Sequence, residues 1–378
     1  MLFYWIFEAI LTAFALLCVA TKGDWRVVVP FRAIIWFIIV FRFKTGFDWE
    51  FYQEYYASLL LDAPTEIHRF MEPGFVALNW ALSRITPDIQ VLFWLCSIAV
   101  LSAFWLTERL ISRWVIGTYY MVVANFLLFS VFFSVVRQSL ALALCLLAIL
   151  AIVESQRLQA VALLILSPLF QIFGAVYSGI VLVAAVTGKW HGKALLGAYI
   201  AVAVLGRLAW WLAGIIQLPG TLGGRINYYA HIGSAGIDIE TIFVFVLASA
   251  FIIVLGYRYF WQSSDDVTGK LLARIAMLTA LMVLVVVDIE IIRNRLIYLL
   301  VPVAVIAMVR GVQPLVMGRI ALVGLALGSG IYYFGWLKRE TAYMLVPYHN
   351  YFAIALNLDR STDRAVPDAD ARRTSEVM

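Results

Sequence analysis

The stretch TYYMVVANFLLFSVFFSVVRQSLALALCLLAILAIV, residues 118–153, decides the fold class. It carries a single charge, Arg137, midway along a run that is otherwise uncharged and almost wholly apolar. The run is about twice the roughly 20 residues that one bilayer crossing needs, so it reads as two spans hinged at Ser134 to Gln138. A guanidinium keeps its proton, and at such a hinge it must meet water, an anion or a carboxylate. The pattern predicts an anion site at membrane depth.

Composition carries this reading to the whole chain. Of the 378 residues, 64% are hydrophobic and 13% are charged, against roughly 25% charged in a soluble domain. Apolar segments recur from Leu2 to Leu337 without a long polar linker, which predicts one polytopic membrane domain over 1–357. The charged, proline-containing tail at 358–378 reads as disordered. A net charge of +5 would suggest nucleic acid in a soluble protein. Here it fits basic cytoplasmic loops and anionic lipid partners, and no nucleic-acid partner is expected. Cys18, Cys96 and Cys145 lie far apart inside apolar runs and read as small buried hydrophobes. No cleavage site follows Leu2 to Ala20, which therefore reads as a retained span.

Apolar segments fall at about 2–20, 27–43, 90–107, 114–133, 138–153, 158–171, 173–187, 195–216, 241–260, 271–288, 296–309 and 319–337. The expectation is an all-α fold with about 12 transmembrane helices. Pro73 to Arg84 is too short to cross and is expected as a re-entrant or interfacial helix. If the spans alternate, Lys22, Arg26, Arg109, Arg113, Arg157, Lys189, Lys193, Arg258, Lys270, Arg274, Arg310 and Arg319 share one side, which the positive-inside rule makes cytoplasmic. The other side collects 44–72, 134–138, 217–240, 288–295 and 338 onward, rich in carboxylates, aromatic rings and isolated arginines. The active surface is expected there.

Five arginines on that side, Arg69, Arg137, Arg225, Arg293 and Arg295, would suit a diphosphate, because guanidinium forks bind phosphate oxygens bidentately. The alternative is that they pair with Asp288, Glu290 or Glu240, or snorkel to headgroups. Asp48 directly follows a span and Glu72 immediately precedes a Pro-Gly turn, so both are candidates for a general base at the membrane rim. Glu72 also has a plain reading as a helix N-terminal charge, and Asp48 is the first candidate. Trp49 and Tyr52 read equally as sugar-stacking rings or as an interfacial belt. His68, His191, His231 and His349 lack ligand spacing, and the chain has no H-E-x-x-H, P-loop or dinucleotide fingerprint. No metal or cofactor is expected, and the reaction must draw on an already activated substrate.

Several segments resemble one known family. These are G-F-D-W-x-F-Y at Gly46 to Tyr52, E-P-G-F at Glu72 to Phe75, V-R-Q-S-L-A at Val136 to Ala141, R-x-x-Y at Arg295 to Tyr298, and P-Y at Pro347-Tyr348. In that order they resemble the EpsG family, a branch of the Wzy-like polysaccharide polymerases of bacterial inner membranes. Members often carry a histidine in a context like F-H-x-S-A. Gln171 stands at that position here, which leaves a hydrogen-bonding role for sugar rather than a basic one.

The resemblance implies joining of repeat units carried on undecaprenyl diphosphate at the outer, periplasmic face. It implies a GT-C-like arrangement by analogy, membrane lipids as surroundings and a chain-length regulator as a further partner. Arg137, Arg225 and Arg295 would then clamp the diphosphate. Asp48 and Glu72 would serve the acceptor, and Tyr52, Gln138, Tyr298 and Tyr348 would shape the sugar pocket. A lipid-linked glycan transporter or flippase, and an O-antigen ligase or acyltransferase on the same scaffold, are the competing readings.

Overall fold

A computed structural model describes residues 2–46, 48–61, 71–189, 239–261, 265–287, 289–312 and 324–330, with a few further positions including the backbone of 349–350. The described residues are all-α apart from one short ribbon. The chain opens with α1 (Leu2–Ala20) and α2 (Trp25–Val40), joined by a turn in which Lys22 and Gly23 have positive φ. Asp24 caps α2 by accepting the Arg26 amide at 3.0 Å. Next come α3 (Trp49–Leu60), α4 (Pro73–Ser83), α5 (Gln90–Thr107), α6 (Ile116–Leu127), α7 (Val136–Val153), α8 (Arg157–Phe170) and α9 (Gly174–Val186). The later described helices are α10 (Ile239–Gly256), α11 (Val267–Val285) and α12 (Glu290–Val312).

Among the described residues, six helices are long and apolar enough to cross a membrane: Phe3–Ala20, Gln90–Leu110, Val136–Val153, Thr241–Trp261, Val267–Val285 and Glu290–Gly311. Arg157–Phe170 and Gly174–Val186 are shorter apolar helices. This is an all-α membrane protein. The expected segments 195–216 and 319–337 fall wholly or largely outside the described residues, as do the tail and most of 217–240.

Two boundaries differ from expectation. The stretch 44–72 is not simply a loop, because α3 occupies its first half. Trp49, Tyr52, Tyr55, Tyr56 and Leu59 of α3 are buried; their spacing of three or four places one apolar stripe against the bundle, with Glu50 and Glu54 off it. The helix expected at 296–309 starts at Glu290, so Arg293 and Arg295 lie within α12 rather than in a loop. Glu290 in its first turn suits the positive end of the helix dipole. Arg293 is buried and donates to Thr241 Oγ1 at 2.5 Å and to the Val287 carbonyl at 3.0 Å, which ties α12 to α10.

The two halves of the 118–153 run are broken as expected. A π-helical turn, Leu128–Phe132, follows α6, and α7 begins at Val136. The Ser139 hydroxyl reaches back across the break to the Val131 carbonyl, and also to the Val135 carbonyl, which accepts the Ser139 amide as well. Gly46, at φ +121°, crosses this break, and a Cβ there would lie 2.1 Å from the Phe133 carbonyl oxygen. Only glycine fits both the backbone and the approach.

Polar contacts lock the bundle. Asn125 Nδ2 on α6 donates to Glu8 Oε1 on α1 at 3.2 Å and to Ser329 Oγ at 3.0 Å, all three residues being buried. Arg310 on α12 holds both oxygens of Asp266 at 2.9 Å and the Leu110 carbonyl at 2.8 Å. Burial pushes the Asp266 carboxyl up, but this fork and the Gly269 amide outweigh it and hold it below the ordinary aspartate range. The strand β1 (Arg42–Phe43) pairs antiparallel with β2 (His349–Asn350), Arg42 opposite Asn350 and Phe43 opposite His349.

Candidate anion site at the broken helix pair

Arg137 stands in the first turn of α7, where the break has carried it to the edge of the apolar run. Its Nη1 lies 2.7 Å from Oε2 of Glu72, with the two side chains 18% and 10% exposed. Glu72 is the residue before α4 and makes no capping bond to it. Pro73 at the first helical position offers no amide hydrogen, and the carboxylate turns outward from the helix instead. Its Oε1 accepts the Ile172 amide at 3.2 Å. Glu72 thus stands at the N-terminus of α4, as a helix N-terminal charge would, while its carboxylate bonds elsewhere. Gly74 makes the approach possible, since a Cβ there would lie 2.8 Å from the Leu169 carbonyl oxygen near the end of α8.

Asp48 precedes α3 and makes no capping bond either. It is hydrogen-bonded to the Tyr52 side chain, which is also hydrogen-bonded to Arg137. Burial pushes the Asp48 carboxyl above the ordinary aspartate range, while the charges of Arg137 and Arg295 and the Tyr52 bond pull it back only in part. Burial and the Asp48 charge push the Tyr52 phenol well above its usual range, so it stays protonated. The ring of Tyr52 is 1% exposed and packs on Phe75 at 5.5 Å and Phe93 at 6.1 Å. Trp49 stacks on Phe93 at 4.4 Å. Both rings are buried against the bundle, and Tyr52 turns its hydroxyl toward Asp48 and Arg137.

The third side comes from α9 and α12. Arg295 Cζ lies 5.8 Å from the ring centre of Phe173, and the Arg295 carbonyl accepts the Tyr177 hydroxyl at 2.6 Å. That hydroxyl in turn accepts a bond from Gln138 Nε2 at 2.7 Å. Gln138 is 1% exposed, and its amide nitrogen is engaged by Tyr177. Tyr298 is buried, hydrogen-bonded to Ser130 in the π-helical turn and within the field of Arg295 and Asp48. Gln171 is buried at the end of α8, its carbonyl taking the Gly174 amide at 2.7 Å.

Asp48, Glu72, Arg137 and Arg295 therefore lie together around the break, with Tyr52, Gln138, Gln171 and Tyr298 beside them. Arg225, Tyr348 and Arg69 lie outside the described residues. The ribbon does place the backbone just after Tyr348 beside Phe43. Tyr177 and the Ile172 amide are the functional groups that sequence reasoning missed. A lone tyrosine in the apolar run of α9 was the available signal. Among the described residues no three His, Cys, Asp or Glu side chains converge as metal ligands. Chemically, the site offers two fixed cations around a carboxyl of raised proton affinity, which suits proton abstraction beside a developing negative charge.

A model of the family described as EpsG family matches residues 26–350. No curated protein and no solved structure matches the chain.

Proposed function

The chain belongs to the EpsG family, a family of Wzy-like polysaccharide polymerases, and from that premise we propose that it joins oligosaccharide repeat units carried on undecaprenyl diphosphate. The reaction takes place at the outer face of the bacterial inner membrane, the side opposite the basic loops. A growing glycan leaves its lipid diphosphate and passes to a hydroxyl of the incoming lipid-linked unit.

Asp48 takes the proton of the acceptor hydroxyl as its oxygen closes on the anomeric carbon. The bond from that carbon to the diphosphate breaks, and its electron pair stays on the departing oxygen. Arg137 and Arg295, with Arg225 from the loop at 217–240, meet the charge that develops there. Fixed guanidinium groups stabilise such a charge without a reorganisation cost during the reaction. Glu72 holds Arg137 in place, and Gln171 and Tyr348 contact the sugar. Metal-free catalysis is part of the proposal, since the activated donor needs only electrostatic help.

The observation that carries this reading is the hydrogen-bonded line from Asp48 through Tyr52 to Arg137, with Arg295 acting on the same carboxyl. A carboxyl of raised proton affinity beside two guanidinium groups supports a base next to an anion clamp, as glycosyl transfer from a diphosphate requires. The test is polymerisation by purified protein in liposomes containing EDTA, with lipid-linked repeat units as substrate and products resolved by gel. A ladder of longer glycans that Arg137→Ala and Asp48→Asn both lose is the expected result. Folded wild-type protein that forms no ladder would overturn the proposal.

A further inference from the structure

We propose that the first turn of α9 is a gauge that sets Arg137 and Arg295 against one another, with Phe173 and Tyr177 as positioning residues for recognition of a diphosphate. The inference rests on the polymerase reading and extends it to how the clamp tells two linked phosphates from one.

The break between α8 and α9 touches every cation-bearing element of the described site. Ile172 gives its amide to Glu72 Oε1 at 3.2 Å, and Glu72 Oε2 holds Arg137 Nη1 at 2.7 Å. The next residue, Phe173, puts its ring 5.8 Å from Cζ of Arg295. One turn later, Tyr177 donates to the Arg295 carbonyl at 2.6 Å and accepts from Gln138, the neighbour of Arg137, at 2.7 Å. The rings of Phe173 and Tyr177 meet edge to face at 5.4 Å, so the two contacts on Arg295 form a unit. Arg295 is thus held by its side chain and by its backbone from the same turn.

The turn itself is pinned. A Cβ on Gly174 would lie 2.4 Å from Ser167 Oγ, and the Ser167 hydroxyl donates to the Ala141 carbonyl on α7 at 3.0 Å. The Tyr177 hydroxyl is fully buried and uses both its donor and an acceptor position on the two arginine-bearing helices. A diphosphate presents two anionic groups at a set spacing, and two guanidinium groups at a set spacing can engage both at once. A single phosphate can engage only one such pair of partners fully, so a fixed gauge turns geometry into selectivity.

The test uses full-length protein in detergent and needs no turnover. Thermal protection by inorganic pyrophosphate is compared with protection by orthophosphate at equal ionic strength, for wild type, Phe173→Leu, Phe173→Tyr and Tyr177→Phe. Wild type should prefer pyrophosphate. Phe173→Leu should cut that preference roughly 2- to 30-fold, the range of a cation–π contact from exposed to desolvated. Phe173→Tyr should retain it, and Tyr177→Phe should lower it while keeping the ring pair. A purely structural role would lower the melting temperature of every variant and leave the preference unchanged, which overturns the inference. Absence of any preference in wild type overturns it too. Should Tyr177→Phe fail to fold, the Phe173 pair decides. Failure of the polymerase reading would appear separately, as folded protein that prefers pyrophosphate yet forms no glycan ladder.

Discussion

Glu72 holds Arg137 with one carboxylate oxygen, at 2.7 Å, and the Ile172 amide with the other, at 3.2 Å. One side chain therefore fastens the start of α4, the start of α7 and the break between α8 and α9. Removing either member of a pair this buried leaves an uncompensated charge, a cost of about 3–5 kcal/mol. Arg137→Gln and Glu72→Gln should each lower the melting temperature in detergent, and the double variant should recover most of the loss. Its activity should stay down about 100- to 1,000-fold, the effect of losing one donor to a developing anion. An active double variant would remove Arg137 from the clamp.

The raised proton affinity of Asp48 gives activity a direction in pH. A base works deprotonated, so kcat/KM should rise with pH across the Asp48 titration, which lies above the range of roughly 3.9 of an ordinary aspartate. Arg295 pulls that titration down, and Arg295→Gln should move the acid limb upward. A pH–rate profile of the two proteins checks both statements; a limb that stays put would separate Arg295 from Asp48.

Stability should run the opposite way. A carboxyl whose folded pKa is raised binds its proton more tightly in the folded chain than in the unfolded one. Its contribution is complete in acid, below the unfolded value, and is lost as pH rises through the folded value. Asp48→Asn, which mimics the neutral acid, should melt higher than wild type at neutral pH and level with it in acid. Melting curves at the two pH values measure this.

Gly46→Ala should be among the most damaging changes of a single methyl group. Its Cβ would meet the Phe133 carbonyl oxygen at 2.1 Å from a backbone at φ +121°. Relief requires movement of the turn that carries Arg137. Loss of about 1–3 kcal/mol in stability is expected, together with loss of polymerisation. Gly74→Ala, whose nearest contact is 2.8 Å, should be milder, and denaturation of the two side by side gives the order.

Asn125→Leu removes two donations, to Glu8 and to Ser329. Interhelical bonds of this kind contribute about 1 kcal/mol each, so a loss of about 1–3 kcal/mol is expected. Asn125→Asp, which keeps the shape but replaces the donating amide with an acceptor beside Glu8, should be worse.

The long apolar runs made α1, α5 and α7 legible, because length and hydropathy alone specify them. The amphipathic α3 was hidden by its composition. Glu50 and Glu54 lent the stretch a loop-like polarity, although Trp49, Tyr52, Tyr55, Tyr56 and Leu59 already traced one helical stripe. Arg293 and Arg295 interrupt the hydropathy, so the apolar run begins at Leu296 although α12 begins at Glu290. Their partners, Thr241, Phe173 and Tyr177, come from distant helices and leave no local trace. The charged residues of the site could be singled out as isolated ions at span ends. Their pairing could not, since whether Glu72 faces Arg137 or a substrate depends on how α4 meets α8.

The ribbon that joins Arg42 and Phe43 to Asn350 and His349 has a bearing on biogenesis. Its two strands are separated by roughly 300 residues of chain, which at about 5–20 residues per second take roughly 15–60 s to synthesise. The strand leading to Asp48 enters the membrane early and waits that long for its mate. Closure of this seam is thus among the last events of assembly, which places an interval between insertion of a newly made chain and its readiness to consume lipid-linked sugar.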